Sequence, residues 1–294
     1  MYLSDLFQRK KCLFSFEIFP PKKDSAEGEI HKIIAHLAQL HPDFISVTCG
    51  AGGSAANDNI TVKTAGYIKK EHGIESLAHM TCVNSSRRSL EETLDLLKEN
   101  HLENVLALRG DRLKDSYAGD FAYVQELICL IKRKGGFHIA AACYPEGHPE
   151  SGDSAEDVRH LKEKVDAGAS HLISQLFYDN GDFYRFMDKV RAVGVDVPVE
   201  AGIMPAVDKH RIEKIVTLCG ATLPTKLSRM LSCFEKSPAA LFDAGIAYAT
   251  EQIIDLISSG VQGIHLYTMN NPAVAEKITH NVENLLREVN GERF

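Results

Sequence analysis

Eight apolar, β-rich runs punctuate the chain: Cys12–Phe19, Asp43–Cys49, Ser76–Val83, Asn104–Arg109, Phe137–Cys143, His171–Phe177, Val197–Ile203 and Gly263–Thr268. The stretches between them carry helical spacing. Ile30, Ile33, Ile34, Leu37 and Leu40 form one stripe, and Leu90, Leu94 and Leu97 another. The first seven runs begin roughly 30 residues apart, the length of one βαβ unit. Val105–Leu108 and Ile139–Ala142 are almost wholly apolar, as strands buried on both faces of a parallel sheet must be. A longer interval precedes the eighth run. Its excess, Cys219–Gly260, reads as helical, and Pro238 opens a long run to Ser258 at a position where a missing N–H costs little. Ser89 followed by Glu91 and Glu92 puts acids near the start of their helix. A last helix is expected from about Pro272 to Val289. The pattern predicts an α/β chain, a (β/α)8 TIM barrel with extra helices before the eighth strand, forming a single domain over 1–294.

Composition narrows the functional classes. A net charge of −7 with both signs mixed along the chain, and no basic stripe, argues against a nucleic-acid partner. No apolar run approaches the roughly 20 residues that span a membrane. The segment Met1–Lys11 is charged and lacks the apolar core of a signal peptide. Seven cysteines lie scattered without CxxC spacing, which reads as reduced thiols in the cytoplasm.

A barrel places its active site where the strands end. Glu17, Thr48, His79, Arg109 with Asp111, Tyr144, Gln175 and Tyr267 stand at those ends, so one fold would bring them to one mouth. Glu17 lies among Phe16, Ile18 and Phe19. Apolar surroundings would raise a carboxyl's pKa and make it a usable acid near neutral pH, whereas a salt bridge would make it structural. Arg109 and Asp111 could pair with each other or face a ligand. Tyr144–Pro149 reads as a rigid loop with an aromatic and an imidazole, followed by Asp157 and Lys164 on a helix. Gln175 sits in an apolar strand, where a buried amide must be satisfied or await a ligand. Gly50–Ala55 fits GxGxxG/A, but Glu75 begins the next strand where a dinucleotide fold needs an acid at its end. The segment is therefore expected to be a loop at the mouth. Cys49, Cys82 and Cys143 near strand ends, with His79, leave a zinc-thiolate methyltransferase open as a rival reading, although no metal is expected.

Taken together, Phe14–Pro21, Ser46–Thr48, His79–Cys82, Ala107–Asp111, Tyr144–Pro149, Lys164–Ala169 and Tyr267–Asn270 resemble the bacterial 5,10-methylenetetrahydrofolate reductases, in order and spacing over essentially the whole chain. The resemblance implies a barrel holding FAD non-covalently and reducing methylenetetrahydrofolate to 5-methyltetrahydrofolate, with NAD(P)H as donor in a ping-pong cycle. It implies Glu17 as the acid that opens the folate ring and Asp111 as a carboxylate near flavin and folate. Gln175 becomes a substrate amide. Thr48, His79, Arg109, Gly110, Asp111, Ala118, Tyr144, His148, Asp157 and Lys164 become the cofactor-lining positions. His160 and Glu163 stand where related enterobacterial chains carry Asn and Arg. A homo-oligomer is expected. A binding subunit that receives electrons from a partner protein is the non-enzymatic alternative.

Overall fold

The computed structural model describes residues 1–21, 27–49, 55–111, 119–151 and 153–292, without the side chains of 55–58 and 154. Eight parallel strands close into a barrel in chain order: β1 (Leu13–Ile18), β2 (Phe44–Val47), β3 (Glu75–Thr81), β4 (Asn104–Leu108), β5 (His138–Cys143), β6 (His171–Ser174), β7 (Val199–Ile203) and β8 (Gly263–Tyr267). The ring closes where β1 pairs β8, from Leu13 opposite Gly263 to Glu17 opposite Tyr267. Helices surround it: α1 (Leu3–Arg9), α2 (Glu27–Ala38), α3 (Ala55–His72), α4 (Arg87–Glu99), α5 (Val124–Lys134), α6 (Ser154–Ala167), α7 (Asn180–Ala192), α8 (Lys209–Cys219), α9 (Thr225–Phe234), α10 (Pro238–Ser258) and α11 (Pro272–Asn290). This is the (β/α)8 barrel that the spacing predicts. Three helices separate β7 from β8, and Pro238 sits in the first turn of α10 as expected.

Period-two alternation sends successive strand residues to opposite faces. Phe16, Ile18, Ile45, Val47, Met80, Val105, Ala141 and Leu266 point outward and join the helix stripes, including Ile34, Leu37, Leu90 and Leu94, in one apolar annulus. Inward, Leu13, Phe44, Leu77, Leu106, Ala140 and Ile173 fill the floor of the lumen. Leu3 and Leu6 of α1 seal that floor, and Asn104 Oδ1 accepts from Leu3 N at 2.9 Å. The N-terminal segment is thus a plug as well as a charged surface.

One helix start differs from its sequence reading. α4 begins at Arg87, and its cap is Ser86, which accepts from Ser89 N at 3.1 Å. Glu91 and Glu92 therefore fall beyond the first turn, where the Ser86 hydroxyl already serves the Ser89 N–H.

Candidate active site

Glu17 stands one residue before the end of β1 and is held from the β8 side of the barrel seam. Its carbonyl accepts from Thr268 Oγ1 at 2.7 Å. Asn270 accepts from Phe19 N at 2.8 Å and donates to Phe19 O at 3.0 Å. Met269 and Asn270 reach that position through positive φ of 54° and 56°, a conformation to which Asn is better suited than Met. The Glu17 carboxylate then stands between two imidazoles, 3.5 Å from His79 Nε2 and 3.6 Å from His265 Nε2. The apolar surroundings expected for it are replaced by this pair, because the apolar neighbours Phe16 and Ile18 alternate outward into the annulus. Burial holds His79 neutral, down to about 4, with the Glu17 charge opposing the shift. His79 Nε2 and Thr48 Oγ1 are buried without a hydrogen-bond partner.

A second group forms beside the mouth. A cavity of about 280 Å³ is lined by Arg109, Tyr144, His148, Asp157 and Lys164, five of the predicted cofactor positions, together with His160 and Glu150. Asp157 in the first turn of α6 accepts from His148 N at 2.7 Å. His148 Nδ1 accepts from Glu150 N at 3.1 Å, which leaves Nε2 to carry the proton of the neutral ring. Gly147, at φ +94°, lets the loop pass Asp157, whose Oδ2 would lie 3.1 Å from an added Cβ. Lys164 donates to Ala142 O at 2.9 Å and lies 5.8 Å from the centre of the Tyr144 ring. Burial lowers its pKa. Burial pushes the Tyr144 phenol up to about 12.

Arg109 pairs with Glu150 at 2.7 Å, not with Asp111. Asp111 is exposed on the loop beyond β4 and its carbonyl accepts from Asn84 Nδ2 at 2.9 Å. Gly110 has φ +83°, and an added Cβ would lie 3.0 Å from Thr81 Cβ. Gln175 Oε1 accepts from Leu176 N at 2.9 Å, so rotating the amide would sacrifice that bond. Tyr267 OH donates to Ser174 O at 2.7 Å across the barrel. Ala118 and the glycine loop 50–54 lie outside the described residues. Glu163 accepts from Gln125 Nε2 at 3.0 Å, while His160 lines the cavity. Cys82 and Cys143 point into the outer annulus, away from the mouth, and burial pushes their thiols up to about 11 and 12. That placement removes two of the three thiolates that a zinc site would need.

The family model for methylenetetrahydrofolate reductase matches residues 2–283. The chain belongs to the methylenetetrahydrofolate reductase family. The 5,10-methylenetetrahydrofolate reductase of Pectobacterium carotovorum subsp. carotovorum is 34% identical over 269 residues, covering 91% of this chain and 89% of that protein. The enzyme of that name from Salmonella typhimurium is 32% identical over 268 residues, with 91% and 90% covered. The probable methylenetetrahydrofolate reductase (NADH) of Oryza sativa subsp. japonica is 33% identical over 288 residues, 92% of this chain but 48% of that protein. A solved structure, a Clostridium thermocellum protein described as binding two copies of 5-methyl-5,6,7,8-tetrahydrofolic acid, matches with a TM-score of 0.63 at 12% identity. It covers 95% of this chain and 99% of that one, a likeness of fold alone. Methylenetetrahydrofolate reductases are oxidoreductases, and this chain is one of them.

Within this member of the methylenetetrahydrofolate reductase family, the sequence reading missed a layer beneath the mouth. Ser15, Ser46, His171, Glu200 and His265 are fully buried inside the lumen. Ser15 Oγ lies 2.8 Å from Glu200 Oε2 and 2.7 Å from His265 Nδ1, and Ser46 Oγ lies 3.2 Å from His265 Nε2. A signal was available for three of the five. Ser15, Ser46 and His265 sit two residues before Glu17, Thr48 and Tyr267, and so share their inward face.

Proposed function

We propose that this chain reduces 5,10-methylenetetrahydrofolate to 5-methyltetrahydrofolate with non-covalently held FAD and a nicotinamide, NADH or NADPH, as donor in a ping-pong cycle. The observation that carries this reading is Glu17 at the mouth between two imidazoles, beside a cavity lined by Arg109 and Lys164. The residues present fit a flavin dinucleotide. Thr48 Oγ1 and His79 Nε2 are buried and unpaired, and Gly110 gives a backbone without a Cβ at the end of β4. Arg109, Lys164 and Gly110 would hold the dinucleotide, with Tyr144, His148 and Asp157 lining its far part. FAD when bound supplies the hydride; the protein supplies orientation and electrostatics.

Glu17 gives its proton to the departing ring nitrogen of the folate, opening it to the cation that accepts the hydride. Asp111, exposed near the mouth, stabilises that cation by its charge. Gln175 donates to the substrate through its amide nitrogen, since its oxygen already serves Leu176 N. The folate-binding protein of Clostridium thermocellum supports a barrel of this kind as a folate site, and the naming of the plant relatives supports NADH as donor.

The whole of 1–294 acts as one flavin-binding unit, assembled as a homo-oligomer. Its seven free cysteines suit the cytoplasm, and no helix among the described residues is long and apolar enough to cross a membrane. Purified protein should be yellow, should bleach under anaerobic NADH, and should regain its colour on adding methylenetetrahydrofolate. Colourless protein that binds no added FAD would sink the reading. Yellow protein that neither NADH nor NADPH bleaches would replace the donor with a partner protein.

A further inference from the structure

The lumen beneath Glu17 holds a second carboxyl that the reaction so far does not use. Glu200 on β7 is fully buried. Its Oε2 meets Ser15 Oγ at 2.8 Å and lies 3.6 Å from His265 Nδ1. Ser15 Oγ is itself 2.7 Å from His265 Nδ1, and the other nitrogen of that ring faces Glu17 Oε2 at 3.6 Å. The fold makes room for this acid. Opposite Glu200 on β8 stands Gly263, where an added Cβ would fall 2.6 Å from Glu200 Cγ.

One hydroxyl proton and one neutral imidazole allow two complete arrangements. In the first, Glu200 is ionised and Ser15 donates to it. His265 Nδ1–H donates to Ser15, and the bare Nε2 accepts the proton of Glu17. In the second, Glu200 carries the proton and donates to Ser15, and Ser15 donates to Nδ1. Nε2–H then donates to ionised Glu17. Three protons move between these states: two cross the hydrogen bonds of Ser15 with Glu200 and with His265, and the third crosses the 3.6 Å gap between His265 Nε2 and Glu17. The net change is one proton passed between Glu17 and Glu200, with no group gained or lost. Ser46 Oγ, 3.2 Å from Nε2, donates or accepts to match.

We propose that Glu200 shares a proton with Glu17 through Ser15 and His265, and so keeps the mouth acid supplied at and above neutral pH. Glu200 is a positioning residue for that proton, since His265 and not Glu200 faces the mouth. The inference rests on the folate reduction proposed above. Burial pushes the Glu200 carboxyl up to about 7, with His265 and Ser15 opposing, so it exchanges protons where the reaction runs. The groups facing this path are few. Glu200 Oε1 looks toward His171 Nε2 on β6 at 3.8 Å, and both atoms lack a hydrogen bond. Burial keeps His171 neutral. Asp43, before β2, acts on Glu200 by charge alone, and Glu200 helps to push up the Cys12 thiol. Around His265 and Glu17 stand His79 on β3, Tyr267 on β8 and Phe44 on β2.

Glu200→Gln tests the proposal with little change of shape. The amide can still accept from Ser15 and can donate to the unpaired His171 Nε2. The exchange of protons ends, and His265 is left in its Nδ1–H form. In 15N spectra of the imidazoles, the parent His265 should show both tautomers in exchange, and the variant only the Nδ1–H form. In anaerobic stopped-flow, the basic limb of folate reduction should move to lower pH by roughly one unit, as expected for loss of a nearby charge. Flavin reduction should stay within about twofold. Ser15→Ala, which cuts the bridge and keeps the carboxyl, should move the same limb in the same direction. An unchanged limb and tautomer in Glu200→Gln would overturn the proposal. If that variant does not fold, an unchanged limb in Ser15→Ala does so. If the parent reduces no folate, the function reading fails, and the tautomer measurement still decides whether the two carboxyls share a proton.

Discussion

The cavity beside the mouth and the lumen beneath it are both polar, yet they are built on opposite terms. Beside the mouth, the cations Arg109 and Lys164 lie half-buried among Tyr144, His148 and Asp157, and the partner of Arg109, Glu150, is largely exposed. In the lumen, the carboxyls Glu17 and Glu200 are bridged by an imidazole and hydroxyls, with their surroundings nearly closed to solvent. The first arrangement suits an anion that arrives and displaces a weak ion pair. The second suits a proton that must be held where water cannot take it. Binding chemistry can sit where ligands enter, whereas proton chemistry gains from burial because a low dielectric magnifies every shift.

Four experiments break or sharpen this contrast, beyond the Glu200 test. The largest expected effect is on stability in acid. Unfolded, an imidazole takes its proton near pH 6.5; in the barrel His79 and His138 do so only at about 4, and burial holds His171 well below its ordinary range. Acidification therefore gives the unfolded chain protons that the folded one refuses, and stability falls between about pH 6.5 and 4, by on the order of 3 kcal/mol for each fully shifted imidazole. Glu200 works the other way. Raised to about 7 against 4.5, its protonation favours the fold as pH drops through that interval, so it offsets part of the loss. Urea unfolding at pH 7.5, 5.5 and 4.5 should show the net decline, and His138→Gln should flatten it. A flat parent profile would mean that the lumen imidazoles take up protons in the fold as readily as in the unfolded chain.

Next comes Glu17→Gln, which should slow folate reduction by about 10²–10⁴-fold, the usual cost of removing a general acid. FAD content and flavin reduction should stay near parental values, since the amide keeps the shape. Parental folate reduction would remove Glu17 from the chemistry. Lys164→Met probes the other cluster. Loss of a charged donor should weaken FAD binding by roughly 10–100-fold, and reconstituted enzyme should keep the parental pH profile. A moved pH limb would show that the two clusters are one electrostatic unit. The smallest effect is expected of Glu150→Gln. The pair with Arg109 is exposed, so denaturant midpoints should shift by less than about 1 kcal/mol in stability terms. A larger loss would make the rim of the cavity structural.

Much of the architecture was readable in the chain. Each strand falls within one residue of an apolar run or inside it, because buried parallel strands are apolar on both faces. Of the cavity residues, Arg109 and Tyr144 follow from strand ends and His148 from the loop beyond β5, whereas Asp157 and Lys164 were marked out by the family resemblance. What escaped was shorter or better hidden. α1 has only seven residues, too few for a helical period to stand out, although Leu3 and Leu6 are spaced to share a face. Glu200 lies inside the run Val197–Ile203 and went unremarked, since its neighbours Val199 and Ala201 belong to the outer face and nothing in one strand announces what its other face meets. The surroundings of Glu17 escaped for the same reason: His79 and His265 come from β3 and β8, far apart in sequence.

Gly263 carries a consequence for how such a lumen can arise. An added Cβ there would sit 2.6 Å from Glu200 Cγ, inside any tolerable contact. Any side chain at 263 would therefore force the Glu200 side chain out of its present place. The two positions are coupled in mutational terms: glycine at 263 is the permissive residue, and the acid at 200 is what it permits.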